Sequence, residues 1–154
     1  MTPKGYTEDI LIEQPAITLL AELGWETFNA YSEFDNGASP LGRETKAEVV
    51  LKTRLREVLL RLNPEVSVES IHQAIEELTR DRSRMSAVAA NREVYHLLKN
   101  GVRVPVPDPE GDGETVEVVQ VIDWDNPANN DFLICSQFWI SGEMYTRRTD
   151  LIGF

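Results

Sequence analysis

One cysteine, two histidines, no glycine-rich phosphate loop and no long apolar run set the first limits on what this chain can do. Cys135 has no partner for an intrachain disulfide, which fits a reducing cytoplasm. Its place inside a β-rich run reads as a small core hydrophobe rather than a nucleophile. His72 and His96 fall on different expected helices without Cys or carboxylate at ligand spacing, so neither builds a zinc site. Gly37, Gly42, Gly111 and Gly113 fit no phosphate-loop spacing, and no nucleophile motif supports a Ser-His-Asp or Cys-His hydrolase. No apolar stretch approaches the roughly 20 residues that span a bilayer. No apolar segment follows Lys4 at the start either, so the expectation is a soluble, cytoplasmic protein with neither signal peptide nor membrane partner.

Positive charge is also scarce. The 154 residues carry 15 Lys and Arg against 26 Asp and Glu, a net charge of −11. Affinity for phosphates comes mainly from Lys and Arg displacing counterions, so the piece as a whole is not built to hold nucleic acid tightly. Residues 43–92 hold ten of the fifteen basic residues against eight acids, leaving −13 for the rest. Any DNA-facing side is expected there, on Lys52, Arg54, Arg56, Arg80, Arg82 and Arg84. The competing reading is a solvated helix surface, which is what charge runs usually are.

What is present is a chain of about one domain, expected to form one compact unit. Thr7 as N-cap, Glu8 and Asp9 in the first turn, and Ile10, Ile17, Leu20 and Leu23 at helical spacing give a first helix ended by Gly24, with Pro15 as a local conflict. Residues 25–31 read as a short strand and residues 33–41 as a loop. A second helix is expected over residues 45–62 on the stripe Leu51, Leu55, Val58, Leu59 and Leu62. A third is capped by Ser67, with Ile71, Ile75 and Leu78 inward, and a fourth by Ser86, with Ala87, Ala90, Val94, Leu97 and Leu98 inward, closed at Gly101. From Val102 the character turns to strand. Residues 102–106 and 115–122 flank a turn, with a phase slip between Val118 and Val119, and residues 131–154 form a hairpin around Gly142. The fold class is α/β in the α+β sense: helices packed on a mostly antiparallel sheet made from residues 102–154. In the last strand, period two places Met144, Thr146, Arg148, Asp150 and Ile152 on one face.

Chemistry is sparse in this pattern. The pair Glu13, on the first helix, and Asp150, on the last strand, are carboxylates on rigid elements. Spacing alone does not single them out from many other acidic pairs.

A set of segments in order does. Thr7-Glu8-Asp9, Glu13-Gln14-Pro15-Ala16-Ile17, Leu23-Gly24-Trp25, Leu41-Gly42-Arg43-Glu44-Thr45 and Glu48-Val49-Val50-Leu51 come first. Ala74-Ile75-Glu76-Glu77-Leu78-Thr79, Ala89-Ala90-Asn91-Arg92-Glu93-Val94-Tyr95, Ile122-Asp123-Trp124-Asp125-Asn126-Pro127, Asn130-Asp131-Phe132, Ser136-Gln137-Phe138-Trp139 and Tyr145-Thr146-Arg147-Arg148-Thr149-Asp150 follow. Together they resemble the N-terminal region of the restriction (R) subunit of type I restriction-modification enzymes, over nearly the whole chain.

That resemblance implies a PD-(D/E)xK nuclease domain followed, in the parent protein, by an ATP-driven helicase-like DNA translocase. It implies Mg²⁺ at the nuclease site, with Asp150 as the strand-end Asp and Glu13 as the helix Glu, both catalytic and both metal ligands. Such carboxylates hold Mg²⁺ ions that polarise phosphate and activate water. The implied partners are DNA and the specificity and modification subunits. Thr149 stands where the family commonly has Pro, and the Glu-x-Lys strand lies past Phe154. The expectation is therefore a truncated domain, inactive alone, whose last strand can self-associate through an open edge. The alternative is a standalone DNA- or protein-binding module without catalysis.

Overall fold

The computed structural model describes residues 7–154; the six residues read above for a signal peptide lie outside them. The chain is mixed α/β and divides into two compact units rather than one. The first is the described part of Met1–Leu51 with Asp131–Phe154, and the second is Lys52–Asn130.

The first unit opens with a π-helical turn, Asp9–Glu13, that runs directly into α1, Gln14–Glu22. Pro15 thereby sits at the start of the α-helical segment. A proline ring collides with the carbonyl four residues back, and a widened turn just before it relieves that collision. The same turn changes the helical phase. Ile17 and Leu20 are half-buried, but Ile10 and Leu23, expected on the same inner face, are exposed. Leu23 also lies past the helix end, as its C-cap.

Three strands follow: β1, Glu26–Asn29; β4, Leu133–Ser141; and β5, Thr146–Gly153, in the order β1-β4-β5. β4 pairs antiparallel with β5 and parallel with β1, Glu26 standing beside Leu133 and Asn29 beside Ser136. The single sheet expected from residues 102–154 is therefore not formed. A parallel neighbour needs a long crossover, and local pattern gives no sign that a four-residue strand is fetched from a hundred residues away. The core here is Ala30, Leu51, Leu133, Cys135 and Phe138, so Cys135 is the buried hydrophobe expected. Trp25 stacks on Phe132 at 5.0 Å between ring centroids, and a Cβ at Gly153 would meet the Trp25 ring at 3.2 Å.

The loop between β1 and Leu51 is built around a buried ion pair. Arg43 donates to both carboxylate oxygens of Glu33, from Nε at 2.7 Å and from Nη2 at 2.5 Å, and lies 3.8 Å from the centroid of the Phe138 ring. Ser39 donates to Glu33 as well, and Arg43 Nη1 reaches the Glu48 carbonyl. Burial pushes the Glu33 carboxyl up, but the hydrogen bonds from Arg43 and Ser39 and the charges of Arg43 and Lys46 outweigh it and hold Glu33 below its usual value. Residues 33–41 form the loop expected there, and no local sequence pattern signals the ion pair buried in it.

The second unit holds α2, Lys52–Leu62; α3, Val68–Leu78; α4, Ala87–Asn100; and the antiparallel hairpin of β2, Val102–Pro107, with β3, Glu114–Val119. α2 begins seven residues later than the expected start at residue 45, because residues 45–51 form turns and bends. Ser67 and Ser86 cap α3 and α4 by accepting from Ser70 N and Ala89 N, as their positions require. Leu59, Ile71, Ala74, Val102, Val104, Val119 and Val121 form the core. β3 ends at Val119, so the phase slip marks a strand end rather than a bulge. Asn63, just past α2, clamps that end by donating to the Gln120 carbonyl and accepting from Gln120 N.

Candidate functional site

Glu13 ends the π-helical turn and is buried, at 9% exposure. A buried carboxylate needs a partner, and Glu13 has one: the side-chain amide of Gln137, which donates to its Oε2 at 3.0 Å. Gln137 lies inside β4, 124 residues away in sequence.

The backbone at Gln137 is out of the ordinary. Its φ is +57°, the one positive value at a non-glycine position among the described residues. That left-handed conformation costs an L-residue roughly 1–2 kcal/mol. Its effect is visible in the packing. Cys135 and Phe138 belong to the same core cluster although they are three residues apart, a spacing that a regular strand sends to opposite faces. The positive φ between them re-phases the strand.

The ladder between β4 and β5 identifies what stands opposite. Ser136 pairs with Leu151 and Phe138 with Thr149, so Gln137 faces Asp150, the position at which the ladder lacks a pair. The two carboxylates singled out in the sequence, Glu13 and Asp150, are thus related to Gln137 in different ways, one by a hydrogen bond and the other by ladder register alone. Glu13 is bonded to its side chain and Asp150 is across the strand from its backbone. Asp150 itself is exposed. Gln137 was quoted in the sequence only as part of a matching segment. Neither composition nor spacing announces a glutamine with positive φ.

Two carboxylates on a helical turn and a strand fit Mg²⁺ in kind, since it takes few protein oxygens and keeps much of its water. Among the described residues, no three His, Cys, Asp or Glu gather into a fuller metal-holding group.

Half of the expected basic side is spent internally. Arg82, with a side chain 8% exposed, donates to Glu93 and Glu77, and Arg80 pairs with the same two acids. Glu93 is lowered first by the Arg82 hydrogen bond and then by the two arginine charges, and Arg80 is raised chiefly by Glu77. Arg54 is also engaged, while Lys52, Arg56 and Arg84 are exposed. Asp123 is likewise occupied: it accepts from Asn129 Nδ2 and from the backbone of Asp125 and Asn126, which lower its carboxyl. It is the knot of a loop, not a ligand in waiting.

The family model of the type I restriction enzyme R protein N terminus matches residues 5–154. The chain belongs to this family. Two similar proteins carry names of the same kind. The type I restriction enzyme HindI endonuclease subunit of Haemophilus influenzae is 28% identical over 144 residues. That match covers 93% of this chain and 13% of the relative. A protein of Methanocaldococcus jannaschii, named "Putative type I restriction enzyme MjaIXP endonuclease subunit", is 27% identical over 155 residues, covering 96% and 14%. The chain thus spans about one-seventh of each relative's length. No helix among the described residues is long and apolar enough to cross a membrane.

Proposed function

We propose that this chain is the N-terminal part of a PD-(D/E)xK nuclease domain in an R protein that cuts foreign DNA, with Glu13 and Asp150 as its Mg²⁺-binding carboxylates. Support comes chiefly from family membership along nearly the whole chain, together with the Glu13–Gln137 hydrogen bond and the register that sets Asp150 across the ladder from Gln137. Bound Mg²⁺ would polarise the scissile phosphate and lower the pKa of an attacking water.

The chain's own residues supply position. Glu13 is held by burial and by the Gln137 amide, which fixes one carboxylate oxygen and leaves Oε1 to a ligand. Hydrogen-bonded support of this type orients metal-binding carboxylates. Asp150 is carried on a strand, so its backbone moves little relative to β4. The Glu-x-Lys pair, the ATP-driven translocase and the surfaces for the specificity and modification subunits belong, on this reading, to other parts of a longer cytoplasmic protein.

The test is the metal dependence of cleavage in the assembled enzyme. Glu13→Gln keeps the shape and removes the charge, and is expected to raise the Mg²⁺ concentration for half-maximal cleavage by roughly tenfold or more, the scale of a lost ligand or its support. An unchanged Mg²⁺ requirement would remove Glu13 from the site.

A further inference from the structure

We propose that Arg148 binds a backbone phosphate of DNA beside the candidate nuclease site. This rests on the nuclease reading of Asp150, which lies two residues further along β5.

The guanidinium of Arg148 is held between two rings. Its Cζ lies 5.4 Å from the Tyr31 centroid and 5.3 Å from the Trp139 centroid. The rings are themselves tied, since the Trp139 indole N–H donates to the Tyr31 carbonyl at 3.3 Å and Trp139 pairs with Arg148 across the ladder. Stacking against aromatic faces orients a planar guanidinium while leaving its in-plane donors free. Among the described residues, Arg148 has neither an ion pair nor a side-chain hydrogen bond to use those donors, and it is exposed.

The contrast with other arginines gives this weight. Arg43 is locked on Glu33, Arg80 and Arg82 on Glu77 and Glu93, and Arg61 donates to the Asn129 carbonyl. In a chain of net charge −11, an ordered arginine without an acid is placed for an external anion. One more cation shares its surroundings. Lys46 lies 4.8 Å from the Trp139 ring, and its carbonyl accepts from Ser141 N at the hairpin end.

A forked guanidinium with a neighbouring cation suits a phosphodiester, to which Arg binds in bidentate fashion. Such a contact positions the backbone without reading bases. The DNA-facing cations are thus on the last hairpin and the loop beside it, not on the helices of residues 43–92 where their number is greatest.

The experiment is fluorescence anisotropy of this chain with a short labelled DNA duplex in EDTA, across a salt series and with two unrelated sequences. Wild type is expected to bind both sequences alike. Arg148→Ala should weaken binding about tenfold or more, as loss of a charged hydrogen bond does. It should also flatten the slope of log affinity against log salt by about one phosphate contact, with the melting temperature unchanged. Arg148→Lys should fall between, because it keeps charge but not the fork. The pair Lys52→Ala and Arg56→Ala should bind as wild type. The proposal fails if wild type does not bind duplex at low salt, or if Arg148→Ala binds with wild-type affinity and slope. Asp150→Asn in the assembled enzyme separates the two readings: metal-dependent cleavage that survives it removes Asp150 from the nuclease site, whatever Arg148 does in EDTA.

Discussion

Gln137 combines a positive φ with a hydrogen bond to the buried Glu13. Left-handed φ is free for glycine and costly for glutamine, so Gln137→Gly should recover about 1–2 kcal/mol of backbone strain against about 1–3 kcal/mol for leaving the buried Glu13 carboxylate without its amide partner, a modest net destabilisation. The expected outcome is a melting temperature within a few degrees of wild type with Mg²⁺-dependent cleavage strongly reduced. Unchanged cleavage would make Gln137 a structural kink alone. The Glu33–Arg43 pair makes the opposite case, a residue pair whose role is stability. Both side chains are inaccessible, at 0% and 1% exposure, and Arg43→Ala leaves a buried carboxylate alone, which costs about 3–5 kcal/mol. Since the folded carboxyl is held below its usual value, its contribution is full above the unfolded pKa of about 4.3. It is lost as pH falls through the lower folded value. Glu33→Gln should therefore lower stability at neutral pH and make the acid limb of the stability curve shallower, which chemical denaturation at a series of pH values measures.

Elements were legible where their signals are local. Ser67 and Ser86 cap helices because a hydroxyl followed by a helical stripe satisfies orphan N–H groups within three residues. Ser86→Ala should cost about 1 kcal/mol in thermal or denaturant unfolding; no loss would show that α4 is held by packing alone. Gly101, at φ +79°, closes α4 where an added Cβ would come within 2.8 Å of the Val119 carbonyl. Elements were illegible where the decisive partner is distant. The parallel pairing of β1 with β4 and the hydrogen bond from Gln137 to Glu13 join residues more than a hundred positions apart, which no local pattern announces. Of the site, the identities of Glu13 and Asp150 came from resemblance to a family. The hydrogen bond from Gln137 to Glu13, and the place of Asp150 across the ladder from Gln137, could be seen only once β4 and β5 were in register.

At the scale of the molecule, charge count and charge use part ways. Most of the cations lie in residues 43–92, yet Arg43, Arg54, Arg80 and Arg82 are engaged internally. Replacing Lys52, Arg56 and Arg84 with Glu is accordingly expected to leave cleavage by the assembled enzyme near wild type, and a large loss would restore the helices as a DNA-facing side. The central claim is that Asp150 is a nuclease residue in a protein whose ATP-driven motor is a separate part of the chain. Asp150→Ala in the R protein carrying this segment, assembled with its partner subunits, tests it most directly when DNA cleavage and ATP hydrolysis are measured on the same preparation. The expected result is cleavage abolished with ATP hydrolysis retained, and cleavage that persists at wild-type rate would contradict it.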